Sequence, residues 1–450
     1  MSKSSAELVR LLHELFRQED LSRALEFADW SAELVRHLSP AEHTSADAWF
    51  HEVVRLVVQR GEVTQLLDEL RRLRPMQATK IDAVARLFLT EGSSAASAPR
   101  APSPDLTPAK ETRPARSAWS PVRVLHLSDL HFSATTAWDA GAVLDGLLID
   151  IRRLRKDVGE IDLVVVTGDI ADRGVAEEYS LATTWLTGPL ADEAGVTTAQ
   201  IRVVPGNHDV NRGSIGPSAR LVAEGLLSHP NPQQAIAEVL GSETERALLL
   251  ARQSAYLHFA QTFHPGLTAP WWFERHTIRG LNLHLAGFNS AWLSASDQDR
   301  GRLFLSRWQC NKLLAKAEAD DVDLSIALLH HPWDYLKELD RASEEEIRRR
   351  CGVILHGHLH DQKARLTSDP DRDVLQLAAG SSYAGAEWDN AYQLVELDPI
   401  HGEARVHLRL WKGHDWIPDR NCYQKAPDAV ATLPLRRSPR APKPPPNEDL

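Results

Sequence analysis

The sequence predicts an α/β protein preceded by a small all-α helical bundle, on three observations. Within residues 1–92 the apolar residues recur only at helical spacing. From Val122 onward, short apolar runs alternate with helical stretches, the order expected of βαβ units. Five of those runs then stop abruptly at Asp, Asn or His: VRVLHLSDLH ending at His131, LVVVTGDIAD over 163–172, IRVVPGNHD ending at Asp209, LSIALLHH ending at His331 and GVILHGHLH ending at His360. In open α/β sheets, sites form outside the carboxyl ends of the strands, so these five ends mark the functional region.

A chain of 450 residues exceeds one ordinary core and implies two or three units. The formal net charge of −11 argues against a general nucleic-acid binder, which carries a basic face. Three scattered cysteines, Cys310, Cys351 and Cys422, point to a reducing compartment and packing roles rather than disulfides. The N-terminus lacks an apolar stretch of signal-peptide length, and no run approaches membrane-spanning length. The expectation is a soluble, cytoplasmic protein without a membrane partner.

Leu8, Leu11, Leu12 and Leu15 form the first helical stripe, with Ser4 and Glu7 read as a capping box. Trp49, Phe50, Val53, Val54 and Val57 form the second, closed by Gly61, and Leu66, Leu67, Leu70 and Leu73 the third, closed by Pro75. Residues 93–120 are rich in Ser, Ala and Pro and read as a linker. The α/β unit is expected over 121–424, with strands at 122–127, 163–166 and 201–204. Leu144, Leu147, Leu148, Ile151 and Leu154 mark one intervening helix, and a second is expected near 177–186. Residues 213–278 show no clear strand and are read as a helical insertion, with helices at 217–227, 232–240 and 243–263. Strands resume at 281–287, 324–329, 353–356, 374–378, 391–397 and 404–411, and Ser306–Gln309 and Ser343–Glu346 read as capping boxes. Residues 425–450 are expected to be a disordered Pro/Arg-rich tail.

Asp129 and His131 are separated by one residue, and on extended backbone both side chains face one pocket. His358 and His360 repeat that spacing. A mixture of carboxylate and imidazole ligands suits Mn, Fe or Zn. Asp169 follows Gly168, where a small residue lets the backbone crowd a ligand, and one carboxylate spans two cations roughly 3.5–4 Å apart. Asn207 offers a neutral carbonyl oxygen, with His208 beside it.

The blocks D-x-H at 129–131, GDIAD at 168–172, GNHD at 206–209, HHP at 330–332 and GHLH at 357–360 resemble, in order, those of the calcineurin-like metallophosphoesterase superfamily. The resemblance covers about Val122 to Trp411. It implies two mixed β-sheets packed as a sandwich flanked by helices, and two divalent metal ions at the strand ends. It assigns one metal to Asp129, His131, Asp169 and His360, and the other to Asp169, Asn207, His330 and His358. His330 is chosen over His331 because the family ligand stands two residues before the proline. Two cations lower the pKa of a shared water, so that hydroxide attacks phosphorus in line. His208 is the expected proton donor. Asp172 would hold the His208 imidazole and Arg173 would grip a phosphate oxygen. His356 and Asp209 are read as bracing, Asn289 and Ser290 as rim or turn residues, and Trp271, Trp272 and Trp292 as core.

DIADRG echoes the phosphoprotein phosphatases, but VPGNHD replaces their RGNHE, and the full set is closer to bacterial cyclic-nucleotide or diester phosphodiesterases. The implied function is a phosphodiesterase acting on a nucleotide or other small phosphate ester. A nuclease of the same superfamily is one alternative, disfavoured by the acidic balance. An interaction protein whose hydrolase half is secondary is another. The run ADAWFHEVVRLVVQRGEVTQLLDELRRLRP resembles the effector-associated domains of bacterial signalling and conflict proteins. That resemblance implies a death-fold-like adaptor recruiting a protein partner through residues 1–92.

Overall fold

The computed structural model describes residues 120–441, apart from 136, 297, 370–371, 384 and 386–388, and within the first 92 residues 3–16, 18, 21–22, 25, 38, 45–60, 62–73 and 77–92. The linker expected over 93–120, all but its last residue, and the closures expected at Gly61 and Pro75 lie outside the described residues. The chain divides into two compact units, 1–115 and 116–450.

The first unit is helical. Its helices are α1 (Lys3–Leu15), α2 (Ala46–Arg60), α3 (Val63–Leu73) and α4 (Ala78–Gly92). The stripes bury as their spacing requires: Leu8, Leu12, Trp49, Phe50, Val53, Val57, Leu66 and Leu70 are all at most 1% exposed.

The second unit holds two mixed sheets, in agreement with the α/β sandwich expected. Its elements run β1 (Val122–Leu127), α5 (Ala137–Val158), β2 (Leu163–Thr167), α6 (Ala176–Trp185) and β3 (Ile201–Val204). Four helices follow, α7 (Pro217–Ser228), α8 (Pro232–Gly241), α9 (Glu243–Leu250) and α10 (Ser254–Ala260). Then come β4 (Trp272–Ile278), β5 (Leu281–Gly287), α11 (Arg307–Leu313), β6 (Leu324–Leu328), α12 (Arg341–Arg350) and β7 (Val353–His356). The remaining strands are β8 (Lys363–Asp369), β9 (Arg372–Ala378), β10 (Ala391–Asp398), β11 (Glu403–Trp411), β12 (Trp416–Pro418) and β13 (Val430–Pro434).

One sheet has the order β12-β11-β10-β1-β2-β3, with β13 also on β11, and the other β4-β5-β6-β7-β9-β8. β1, β2 and β3 are parallel, as are β5, β6, β7 and β9. Period-2 alternation sorts their side chains into layers. Val122, Val124, Leu163 and Val165 join Leu324, Ile326, Leu328, Val353 and Leu355 in the core between the sheets. Leu125, Leu127, Val164 and Val166 face α5 and α6, while Ala327, Leu329 and Ile354 pack beneath α7, α8, α9, α11 and α12. Both faces of the central strands are thus covered, which is why they read as unbroken apolar runs.

Four expectations are corrected. The region 213–278 is helical up to α10, but its end is the edge strand β4, hidden in the sequence because Glu274, Arg275, His276 and Thr277 are four consecutive charged or polar residues. The segment from 425 is not a disordered tail as far as it is described. β13 pairs with β11, Leu435 is buried, and Ser438 and Arg440 both bond the Asp323 carboxylate. Residues 442–450 lie outside the described residues. The Ser343–Glu346 box does not form, because α12 starts at Arg341 and Ser343 Oγ donates to Asp340 instead. Finally, Asp129 and His131 do not sit on extended backbone. Their φ values are +53° and +44°, and those of His358 and His360 are +72° and +53°.

Candidate metal centre

The carboxyl ends of β1, β2, β3, β6 and β7 carry the five motif blocks, and parallel alignment brings them to one edge of the two sheets. The backbone there is unusual. Eight described non-glycine residues have positive φ, and five of them are Asp129, His131, Asp169, His358 and His360. That conformation is costly for residues with a Cβ and clusters at sites where the surroundings enforce it. Here hydrogen bonds enforce it: Asp129 N donates to Gly168 O (3.0 Å), and Leu130 N and His131 N both donate to Asp169 O (2.9 and 3.0 Å).

Two glycines make the approach possible. Gly168 has φ +96°, and a Cβ there would lie 2.5 Å from His330 Nδ1. A Cβ on Gly206 would lie 2.1 Å from Asp169 Oδ1, so any side chain at 206 would displace that carboxylate.

Asp129 and Asp169 are buried at the centre. Asp129 Oδ2 accepts from His358 N (3.1 Å), and Asp169 Oδ1 accepts from His208 N (2.8 Å). Their second oxygens face imidazoles: Asp169 Oδ2 is 3.1 Å from His330 Nε2, and Asp129 Oδ1 is 3.3 Å from His360 Nε2. His330 Nδ1 donates to Thr167 O (2.7 Å), which fixes Nε2 as the inward nitrogen; Nε2 is also 3.1 Å from His358 Nδ1. His131 meets His208 edge-on with ring centres 4.7 Å apart. In each of four groups the potential ligand atoms lie within 4.8 Å of one another: Asp129, Asp169 and His330; Asp129, His131 and His360; His330, His331 and His358; and His131, Asp172 and His208.

The electrostatics calls for positive charge. Burial opposes ionisation of Asp129, but the adjacent His360 and the charge of His330 outweigh it and bring its carboxyl down to about 2. Burial is likewise overridden at Asp169 by His330, which holds its carboxyl well below the usual range. Burial would neutralise His330, yet Asp169 and Asp129 push its imidazole up to about 9. Burial, then the charge of His330, push His358 down to about 4. Asp129 Oδ1, buried, has no hydrogen bond of acceptable geometry. Two buried carboxylates and several imidazole nitrogens, with one carboxylate oxygen lacking a hydrogen bond, fit a divalent cation.

Asn207 Oδ1 lies 3.2 Å from His331 Nε2. His331 Nδ1 is 2.9 Å from Ser290 Oγ, so Ser290 steadies the His331 ring, and with Nδ1 accepting that hydroxyl, Nε2 offers Asn207 a proton rather than a lone pair. His208 Nδ1 donates to the main-chain carbonyl of Asp172 (2.7 Å), whereas the Asp172 carboxylate is 3.8 Å away. Asp172 therefore touches His208 chiefly through its backbone. Arg173 is turned to Glu178, with Nε 3.1 Å from Oε1, and its side chain is 64% exposed.

Asp209 is the brace of the site. Its buried carboxylate accepts from Gly206 N (2.8 Å), Ile170 N (3.2 Å), Ala171 N (3.1 Å) and Tyr179 Oη (2.9 Å), which ties the β2 loop to the β3 loop. His356 lies 3.0 Å from Gln376 Nε2 and 3.1 Å from Gly357 O. Asn289 is held by Gln253 and Gln309, and Trp271, Trp272 and Trp292 are buried. Two contributors gave no sequence signal: the carbonyl of Thr167, and Tyr335, whose ring centre is 4.3 Å from that of His358.

A family model described as calcineurin-like phosphoesterase matches residues 122–362, more than half of the chain. The chain belongs to the calcineurin-like phosphoesterase family. An uncharacterized metallophosphoesterase-like protein of Bacillus subtilis (strain 168), YydB, is 24% identical over 299 residues, which cover 64% of this chain and 60% of that protein. The chain thus spans less than two thirds of that relative. Among solved structures, a conserved uncharacterized protein of Streptococcus pneumoniae TIGR4, described as a predicted phosphoesterase, is 14% identical, covers 71% of this chain and 99% of its own, and has a TM-score of 0.26. Vps29 of Chaetomium thermophilum is 12% identical, with coverage of 73% and 100% and a TM-score of 0.27. The calcineurin-like phosphoesterase match ends before β8 and excludes the helical first unit. Among the described residues no helix is long and apolar enough to cross a membrane.

Proposed function

We propose that the chain is a metal-dependent phosphoesterase, acting as a phosphodiesterase on a nucleotide or another small phosphate ester. The observation that supports this most is the meeting of Asp129, Asp169 and His330, all buried, with ligand atoms within 4.8 Å of one another. One divalent cation would be held by Asp129, His131, Asp169 and His360, and a second by Asp169, Asn207, His330 and His358. When bound, such cations supply Lewis acidity, lowering the pKa of water and screening phosphoryl charge.

The chain's own groups do the rest. The carbonyl of Thr167 orients His330, the kind of outer contact that fixes a ligating imidazole. The proton on His208 Nδ1 is committed to Asp172 O, so the proton for the leaving oxygen would come from Nε2 of the imidazolium form, which carries both. Arg173 exchanges Glu178 for a phosphate oxygen when substrate binds. Replacing Asp169 by Ala abolishes metal-dependent hydrolysis of bis-p-nitrophenyl phosphate; activity equal to the wild type refutes the reading.

Residues 1–92 would couple the hydrolase to a partner system of the bacterial conflict kind. A partner retained by the full chain and lost on deleting residues 1–92 supports that role. Equal retention by both chains counts against it.

A further inference from the structure

Beside the strand-end site lies a cleft of about 350 Å³ whose walls carry four arginines: Arg212, Arg220, Arg252 and Arg302. The acids on its wall are Glu224 and Asp299. Asp299 is already committed, since its carboxylate accepts from Ser294 Oγ (2.6 Å), Ala295 N (2.9 Å), Ser296 N (3.1 Å) and Ser296 Oγ (3.2 Å). Arg252 is 2% exposed, yet among the described residues it meets no carboxylate within ion-pair distance. Its guanidinium donates only to main-chain carbonyls, of Leu249 (3.1 Å), Ser294 (3.4 Å) and Ala219 (3.5 Å). Burial, and then the like charge of Arg220, hold its basicity below the ordinary range. The charge of Asp299 offsets part of this, but four guanidiniums against two carboxylates leave a positive surplus in the cleft that favours an entering anion.

Two loops join this cleft to the metal centre. One runs from Asn207 and His208 to Arg212, and its Asn211 N donates to Arg252 O (2.9 Å). The other runs from Ser290, which supports His331, to Asp299 and Arg302. The same two loops thus carry groups of the metal centre at one end and line the cleft at the other. On a chain of net charge −11, a local surplus of arginine is not a general basic surface but a selective one.

We propose that the arginine cleft is a subsite for a second phosphoryl group of the substrate. The preferred substrate would then be a phosphodiester that carries a further phosphate, rather than an ester with a single one. This rests on the phosphoesterase reading of the neighbouring centre, and the test separates the two.

Arg220 and Arg302 are exposed, so Arg220→Ala and Arg302→Ala should fold normally. Two chromogenic substrates are compared: thymidine 5′-(p-nitrophenyl phosphate), with one phosphate, and its 3′-phosphorylated form, with two. Binding of inorganic pyrophosphate in EDTA is measured in parallel by calorimetry, and it needs no catalysis. Each variant is expected to raise KM for the 3′-phosphorylated substrate about ten-fold, in line with one lost charge-assisted hydrogen bond. kcat, and KM for the singly phosphorylated substrate, stay within two-fold, and pyrophosphate binding weakens at least five-fold. Unchanged pyrophosphate binding overturns the proposal. So does weakened pyrophosphate binding without a KM change, which makes the cleft a site for a free anion, and so does an equal KM rise for both substrates. Loss of hydrolysis of both substrates by the wild type would instead strike the phosphoesterase reading, and the calorimetry would still decide whether the cleft takes a phosphate.

Discussion

Asp209 touches no expected ligand atom, yet its removal should damage both stability and activity. The substitution Asp209→Ala strips the acceptor from Gly206 N, Ile170 N, Ala171 N and Tyr179 Oη at once. Asp209 is 0% exposed, and the tyrosine is 3% exposed, so bulk water replaces the lost acceptor poorly. Each unsatisfied buried donor costs about 1–3 kcal/mol. Taking the lower bound because the variant also loses a buried carboxylate that burial and Asp169 disfavour, four donors give a loss of about 4 kcal/mol. The same bonds hold the Asp169 loop against the Asn207–His208 loop. Loosening that register by about 1 Å should lower kcat/KM on the order of 100-fold. Urea unfolding followed by tryptophan fluorescence gives the first number, and hydrolysis of bis-p-nitrophenyl phosphate in excess Mn gives the second. A variant within about 1 kcal/mol of the wild type, or one that retains a third of its kcat/KM, would refute the bracing role.

Two further outcomes follow from groups away from the metal centre. His126 is buried, with Nδ1 2.8 Å from Gln393 Nε2 and Nε2 3.0 Å from Thr167 Oγ1; burial first, then the charge of His356, push its imidazole down to about 3. The unfolded chain takes up a proton near pH 6.5 that the folded chain refuses, so this stability is present above 6.5 and is lost as pH falls toward 3. The wild type should therefore lose about 2 kcal/mol more than His126→Gln between pH 7.5 and 5, read from urea midpoints; identical pH dependence would contradict it. Asp150 is fully buried, with Tyr392 Oη and Arg409 Nε both at 2.7 Å, so Arg409→Ala strands a buried charge and should cost about 3–5 kcal/mol. Adding Asp150→Asn should restore part of that loss without changing kcat of the folded enzyme, and a double variant no better than the single one would count against the pairing.

The five motif strands were legible because both of their faces are buried, which writes them as apolar runs ending at Asp, Asn or His. The edge strands were not. β4 reads WFERHTI, with Glu274 and His276 on the side where Arg202 and His264 bond, and its unbroken polar centre mimics a loop. β8 reads KARLTSD and covers only a sheet edge. β13 became a strand through pairing with a distant partner, which local composition cannot register. At the site, the residue types were readable but the backbone was not. The spacing of Asp129 and His131 fits extended chain, whereas the left-handed turns that orient them come from hydrogen bonds to the Asp169 loop. The arginine cleft left no mark in the sequence, since its members stand at 212, 220, 252 and 302 and meet only in the fold.

The most direct test of the metal centre is anomalous diffraction from crystals grown with Mn. Two peaks are expected roughly 3.5–4 Å apart, both beside the Asp169 carboxylate, one toward Asp129 and His360 and the other toward His330 and His358. No peak at that position, or peaks bound elsewhere on the chain, would contradict it.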